Sequence, residues 1–376
     1  MRTWALPLLQ CVLCHSALDY EQFSGDDEVL PDGLLSCAGD SCSAWYPEVG
    51  GVPRILPHEL IEGTITDFIG KYSSRLDRRS DVQIASPGAA DELKNLKKHT
   101  QTNFGFEWDE YDRFGWDDEV FTMANEETVF GYKSMLTERE VDGKLVLDAG
   151  CGNGRYSQWA SEYGARVIGV DISDAVDSAA RNTHENLNVQ IIQGDIFALP
   201  FHEHTFDTVF SIGVLMHTGD AKRAAGGLSG LPRPGGSLTV HLYGKGNPFY
   251  EMIDAAIRKR TTRMSVDGLS RFTRRMWRLS RFLQSVRLRG QAQRFMKLDA
   301  HPHCIFDWYA APVATHHTYP EVESWFSAKN LEVQATNRLK NVSKIRETWR
   351  SWLGGAPTVT VKWKKMENVR NNRALG

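Results

Sequence analysis

The sequence contains no run of 18 or more apolar residues, so no stretch of it has the length of a membrane-spanning helix. It has little net charge: 47 acidic and 44 basic side chains leave −3, with an isoelectric point near 6.5, which gives no global reason to expect a nucleic-acid partner. It is sparing with cysteine, six in 376 residues, and four of them (Cys11, Cys14, Cys37 and Cys42) fall in the first 42. The opening residues hold only a short apolar stretch with no small-residue cleavage site after it, so an export signal is not expected and the protein is read as cytoplasmic. In that compartment clustered thiols favour a metal over disulfides.

What the chain does have is 41% hydrophobic residues at a mean hydropathy of −0.39, enough for a globular core of about 200 residues with additions. Residues 144–154 read Lys-Leu-Val-Leu-Asp-Ala-Gly-Cys-Gly-Asn-Gly. Leu145-Val146-Leu147 suits a strand buried on both faces, and it runs into Asp148 and then glycine at every second position, Gly150, Gly152 and Gly154. The missing Cβ atoms let a ligand lie against the main chain, and a helix expected from near Arg155 points its positive end at that ligand. A dinucleotide loop, G-x-G-x-x-G, needs glycine where Arg155 stands. Asp148 would also sit beside two negative charges of a pyrophosphate, whereas it suits a cationic amine.

This stretch resembles motif I of the class I S-adenosylmethionine-dependent methyltransferases, and later segments are similar to the same family in order. Residues 167–173, Val-Ile-Gly-Val-Asp-Ile-Ser, resemble the second strand, and residues 191–196, Ile-Ile-Gln-Gly-Asp-Ile, the third. Residues 206–217 resemble the fourth strand and its turn, and residues 231–238 the turn into the fifth. Five ordered matches about 20 to 25 residues apart fit a strand plus a crossover helix. The resemblance implies an α/β, Rossmann-like sheet of seven strands, the last one antiparallel, with S-adenosyl-L-methionine as cofactor. It implies cofactor contacts at Asp148, Gly150, Cys151, Gly152, Asn153 and Gly154, at Asp171 and Ile172 for the ribose, at Asp195 and Ile196 for the adenine, and at Ser211 and Gly213. The alternative, a parallel α/β domain whose glycines only aid packing, leaves Asp171 and Asp195 at two further strand ends to be explained separately.

Cys11-x-x-Cys14 and Cys37-x-x-x-x-Cys42 form two knuckles that can surround one tetrahedral Zn²⁺, a clip for a segment too small to bury much of a core. With Trp45-Tyr46-Pro47 and Gly51-Val52-Pro53 following, residues 1–57 resemble the zinc ribbons related to small activator subunits of RNA and protein methyltransferases. They depart from that pattern in the wide second knuckle and in an acidic loop at 24–31. The resemblance implies a structural zinc; a ribbon without metal, or a redox pair at Cys11 and Cys14, are the alternatives.

Residues 58–125 read as a linker with leading cap helices, looping over 73–90 through Ser86-Pro87-Gly88. Phe104-Gly105-Phe106-Glu107-Trp108, with Phe121 in a second aromatic set, suits either a lid or simple packing. The core is expected over 126–243, opening with a helix at 126–139, and again over 319–376, where a helix ends at Asn330 and residues 331–335 and 358–363 alternate as strands. Between them 244–318 reads as a helical insertion, with thirteen cationic residues against three acidic ones between 251 and 297. Phe272, Met276, Leu279 and Leu283 recur at helical spacing, which leaves an arginine-rich outer face, either solvated or gripping a phosphate or carboxylate.

A sulfonium methyl is already activated, so a protein has mainly to exclude water and hold a nucleophile about 3 Å away, in line with the sulfur. A base is needed only when the acceptor holds its proton tightly, as an alcohol does. His217 and His241, at the ends of the fourth and fifth strands, are the candidate bases, with His316 and His317 behind them; a structural role is the alternative for each. The expected reaction is O-methylation of a small-molecule or sugar-containing metabolite, anionic if the arginines bind it. RNA or protein methylation and a non-catalytic cofactor-binding scaffold are the alternatives, and no RNA-binding module is present in the sequence.

Overall fold

The computed structural model describes residues 1–25, 30–76, 84, 91–116, 123–326, 330–338 and 358–367. Four strands open the chain, β1 (Leu18–Ser24), β2 (Asp32–Cys37), β3 (Trp45–Val49) and β4 (Val52–Ile55), each antiparallel to the next. Helices α1 (Glu62–Leu76), α2 (Asp91–Glu110), α3 (Met123–Ser134) and α4 (Glu138–Val141) lead to β5 (Leu145–Ala149). From there strand and helix alternate: α5 (Arg155–Glu162), β6 (Arg166–Asp171), α6 (Ala175–Thr183), β7 (Val189–Gly194), β8 (Phe206–Ile212), α7 (Ala221–Leu228) and β9 (Pro232–Tyr243). Helices α8 (Pro248–Thr261), α9 (Val266–Ser285), α10 (Arg289–Ala292) and α11 (Pro302–Ala310) form the insertion, and α12 (Tyr319–Glu323), β10 (Leu331–Thr336) and β11 (Thr358–Lys365) complete the chain.

The central strands are buried on both faces, and their side chains alternate between two cores. Leu147, Ile168, Ile192 and Val209 pack on one side; their neighbours Val146, Val167, Ile191 and Phe210 pack on the other. Strands β7-β6-β5-β8-β9 run parallel, and β11 lies antiparallel to both β9 and β10, a Rossmann-like arrangement.

Among the described residues the expected count of seven strands is corrected to eleven, in the order β1-β2-β3-β4-β7-β6-β5-β8-β9-β11-β10. The added four come from the amino-terminal ribbon, which joins the sheet instead of standing apart. An uncovered edge at β7 would leave main-chain donors and acceptors unpaired. Strand β4 covers it in parallel, Arg54 opposite Gln193 and Ile55 opposite Gly194. The buried Arg54 side chain seals the join, donating to Gln193 Oε1 at 3.1 Å and to the carboxylate of Asp177.

Residues 61–69 show no sharp period by themselves, yet they begin α1, whose buried Ile65, Phe68, Tyr72 and Leu76 pack against Trp45 and Leu34 of the ribbon. The helix therefore runs into the start of the expected 73–90 loop. The helix expected over 126–139 is broken at Met135, where φ is +54°, into α3 and α4. Ser86-Pro87-Gly88, Phe121 and residues 327–329 of the helix expected to end at Asn330 lie outside the described residues. Among those described, no helix is long and apolar enough to cross a membrane.

Candidate functional site

The carboxyl ends of the parallel strands open onto a cavity of about 610 Å³. Its floor is the turn after β5, where the chain passes through Gly150 at φ +94° and Gly152 at φ +53°. A Cβ added to Gly150 would lie 2.1 Å from Val214 Cγ2, too close for any rotamer to relieve. Gly213, at the end of β8, also has positive φ, but a Cβ there would meet no atom within 4 Å, since the glycine borders open cavity. Substituting Gly150→Ala is therefore expected to open the turn. Calorimetry with the cofactor will read at least about a tenfold loss of affinity, and thermal melting a loss of about 1–2 kcal/mol or more.

Cys151, Asn153, Ile172 and Ile196 line the cavity with Gly150, Gly152 and Gly213. Asp171 lines it too, its Oδ2 accepting the Gly152 N–H at 3.1 Å and its Oδ1 the Ser173 N–H at 2.9 Å and O–H at 2.7 Å. Burial raises its pKa even so. Asp195, just past β7, accepts from Phe197 N–H at 3.0 Å and from Lys97 Nζ at 2.5 Å.

Three of the expected contacts are not on the wall. Asp148 is buried behind the loop, where its Oδ2 accepts from Ser157 Oγ at 2.8 Å and burial pushes its pKa up to about 7. It ties α5 to β5, which corrects its expected placement beside a cationic amine. Gly154 packs against Ala179 and Thr183, and Ser211 Oγ donates to the Ala149 carbonyl at 2.7 Å. These two also shape the turn from behind.

Helix α2 roofs the cavity. Lys97, Thr100, Phe104 and Trp108, spaced along one face, line it. Other positions fasten the helix down: Gln101 Nε2 donates to the Ile172 carbonyl at 2.9 Å and Asn103 Nδ2 to the Ala310 carbonyl at 2.6 Å. Of the aromatic string, Phe104 and Trp108 line the cavity, while Phe106 packs on Phe306 at 5.6 Å between ring centres.

Both candidate bases line the cavity. His217 Nδ1 lies 2.9 Å from the Val313 carbonyl, and a carbonyl can only accept, so the ring proton sits on Nδ1. That leaves Nε2, buried without a partner, as a lone pair, and burial lowers the pKa to about 4. His241 Nδ1 is 2.6 Å from Thr360 Oγ1, and burial lowers its pKa to about 3. His316 and His317 are off the wall, held by Glu251 at 2.6 Å and Glu321 at 2.8 Å.

Beyond His217 the wall comes from residues that the sequence did not single out. Tyr243 stacks on Trp308 at 4.0 Å between ring centres, and Tyr250, Asp307 and His303 stand around them. His303 Nε2 is 2.8 Å from Glu107 Oε1, out of line for a good hydrogen bond. Burial holds the Glu107 carboxyl well above its usual range and the His303 imidazole well below. Among the described residues, no arginine of the insertion lines the cavity; its cations are Lys97, Lys133, Arg155 and Lys297. Arg258 is instead structural, paired with Asp254 at 2.8 Å and donating to the Trp308 carbonyl.

At the far end of the sheet, one sulfur from each of Cys11, Cys14, Cys37 and Cys42 lies within 4.8 Å of the other three. Cys11 to Cys42 is 3.8 Å and Cys14 to Cys37 is 3.3 Å. A tetrahedral zinc with bonds of about 2.3 Å sets sulfurs about 3.8 Å apart, so the four thiols fit one ion. The first knuckle turns at His15, φ +62°, and the second closes despite its wider spacing, Cys42 N–H donating to the Gly39 carbonyl at 3.0 Å.

Residues 147–240 match the family model described as the methyltransferase domain. Sterol 24-C-methyltransferase from Kluyveromyces lactis is 24% identical over 193 residues, 47% of this chain and 50% of that protein. Ubiquinone biosynthesis O-methyltransferase from Coxiella burnetii is 37% identical over 98 residues, 26% of this chain and 42% of that protein. The chain thus spans half or less of the length of these curated relatives. Among solved structures, magnesium protoporphyrin IX methyltransferase from Synechocystis is similar at a TM-score of 0.41 and 16% identity, covering 73% of this chain and 100% of that one, a likeness too loose to inform the site. The chain contains a class I, S-adenosylmethionine-dependent methyltransferase domain.

Proposed function

We propose that the protein moves the methyl group of S-adenosylmethionine to an oxygen of a small molecule, and that the chamber beyond His217 holds this acceptor. The observation that carries the reading is one cavity that runs from the glycine turn to Tyr243, Tyr250, Trp308 and Asp307 under the roof of α2. Its volume of about 610 Å³ falls within the range of about 300–1,000 Å³ typical of small-molecule sites. A roofed chamber suits a metabolite better than an RNA strand.

When bound, the cofactor supplies an electrophilic methyl on a positively charged sulfur. Gly150, Cys151, Gly152, Asn153 and Gly213 would hold it against bare main chain, Asp171 would take the ribose hydroxyls, and Asp195 with Ile196 the adenine edge. Phe104 and Trp108 keep water from the reacting centre. His217 Nε2 accepts the hydroxyl proton of the acceptor. Lys133, whose Nζ donates to Tyr156 Oη at 2.9 Å, suits a phosphate or carboxylate on that acceptor, while Lys297 is paired with Asp299 at 2.9 Å. Zinc on the four cysteines is structural, because four thiolates leave no open coordination position. On this reading residues 1–57 are the ribbon, 58–125 the roof, 126–243 with 319–376 the catalytic core, and 244–318 the cap.

Calorimetry with the cofactor and its demethylated form, followed by transfer of a labelled methyl group into separate metabolite, RNA and protein pools, tests the proposal. Heat on binding with label in the metabolite pool alone is the expected result. Label in RNA or protein would overturn the acceptor class, and heat without label in any pool would leave a scaffold.

A further inference from the structure

The insertion carries a face that methyl transfer does not use. On α9 the buried positions are Leu269, Ser270, Thr273 and Ser280. That orientation leaves Phe282 outward, 61% exposed, with Val286 and Leu288 exposed just beyond it. The start of α8 joins the same end of the insertion, since Asn247 Nδ2 donates to the Arg294 carbonyl at 2.8 Å. Phe249 stands two residues from one partner of that bond and the exposed Phe295 one residue from the other, with Met252, 62% exposed, a turn further along α8.

Cations interleave these side chains. Of residues 268–298, nine are cationic and none is acidic, and Arg281, Arg287 and Arg294 are exposed among the apolar positions. The face also borders the cavity: Tyr250, Gln293, Met296 and Lys297 line the chamber, while their chain neighbours Phe249, Arg294 and Phe295 face out.

We propose that this face docks the protein on an anionic lipid bilayer, its aromatic and aliphatic side chains entering the interface while the arginines sit among the headgroups. Large apolar side chains mixed with cations are what interfacial binding requires, because apolar burial and attraction to anionic lipid act together; the acid between Phe249 and Met252, Glu251, is paired with His316 at 2.6 Å. A second copy of this chain would bring like charges face to face. A nucleic acid would attract the arginines but leave Met252, Val286 and Leu288 unburied. Resting on the methyl-transfer reading, the docked face sets the mouth of the acceptor chamber against the membrane, from which an acceptor with an apolar body and an anionic head that bears the methylatable oxygen can enter without crossing water.

The test uses the full chain with phosphatidylcholine vesicles made with and without phosphatidylglycerol, read by co-sedimentation over a range of salt. Binding only to the phosphatidylglycerol vesicles, weakening as salt rises, is expected. The triple change Arg281→Glu, Arg287→Glu, Arg294→Glu is expected to lower that binding on the order of 100-fold. Phe282→Ser with Phe295→Ser is expected to lower it as well, with the melting temperature and the cofactor's binding heat unchanged. The proposal is overturned by no sedimentation, by sedimentation indifferent to both sets of changes, by a dimer that Phe282→Ser dissolves, or by RNA retention in place of vesicle binding. Vesicle binding without cofactor heat would sink methyl transfer and leave docking standing; cofactor heat without vesicle binding would sink docking alone.

Discussion

With zinc on the four-cysteine cluster as proposed, stripping it is expected to lower the affinity for S-adenosylmethionine at least about tenfold, a change of about 1.4 kcal/mol, although none of the four cysteines lines the cavity. Two supports carry the link. Cys11 follows Gln10, whose N–H donates to the Pro200 carbonyl at 2.9 Å and whose side chain donates to the Phe201 carbonyl at 2.9 Å. Those carbonyls close the loop that opens at Asp195 and contributes Ile196, Phe197 and Leu199 to the cavity wall. Strand β4 of the same ribbon flanks β7, the strand that ends at Asp195. In so small a module metal-binding free energy is largely folding free energy, so loss of the ion loosens both supports together. One zinc per chain by mass spectrometry, weakened calorimetric binding after chelation, and its restoration by added Zn²⁺ are the expected results. Unchanged cofactor affinity in metal-free protein would remove the ribbon from the account of the site.

Much of this architecture was legible in the sequence because its physics is local. Val146 and Leu147 followed by an acid and spaced glycines can hardly be anything but a buried strand running into a bare turn, and Asp171 repeats the pattern at the end of the next strand. Other features depend on direction, which a sequence does not state. It supplies the acid at 148 but not the side of the turn to which the carboxylate points, and the carboxylate is spent on Ser157. The arginines of α9 dominate the composition of the insertion yet turn outward, while the chamber is walled by Tyr243 together with His303 and Asp307 of α11, on the far side of the insertion in sequence. The roof helix hides its double role because lining and anchoring positions alternate within a few residues. The join of β4 to β7 is only two residue pairs long, too short for any period to announce, and it makes ribbon and core one sheet.

Replacing His217 by Gln is expected to lower kcat by about 100- to 10,000-fold while cofactor affinity stays within about twofold. Glutamine can keep the contact to the Val313 carbonyl but offers no nitrogen lone pair to the acceptor hydroxyl. A buried imidazole with its pKa near 4 is neutral throughout the working range, so kcat/KM shows no break near pH 6.5 on its account; it falls only as pH approaches 4, where the ring gains a proton. Such a base suffices because the hydroxyl becomes acidic as its oxygen bonds to the methyl carbon, so the proton leaves late. Stability carries the same signature with a definite sign. The unfolded histidine takes up a proton below about pH 6.5 whereas the folded one resists until about 4, so its contribution is present above 6.5 and drains away as pH falls through that window. Relative to the wild type, His217→Gln will therefore lose about 1.6 kcal/mol less between pH 6.5 and pH 5, as urea melts at the two values will measure. A variant with full kcat, or a wild-type rate that breaks near pH 6.5, would move the proton to another group. His241 is the first to try next, since it lines the same cavity and its Nδ1 is held by Thr360.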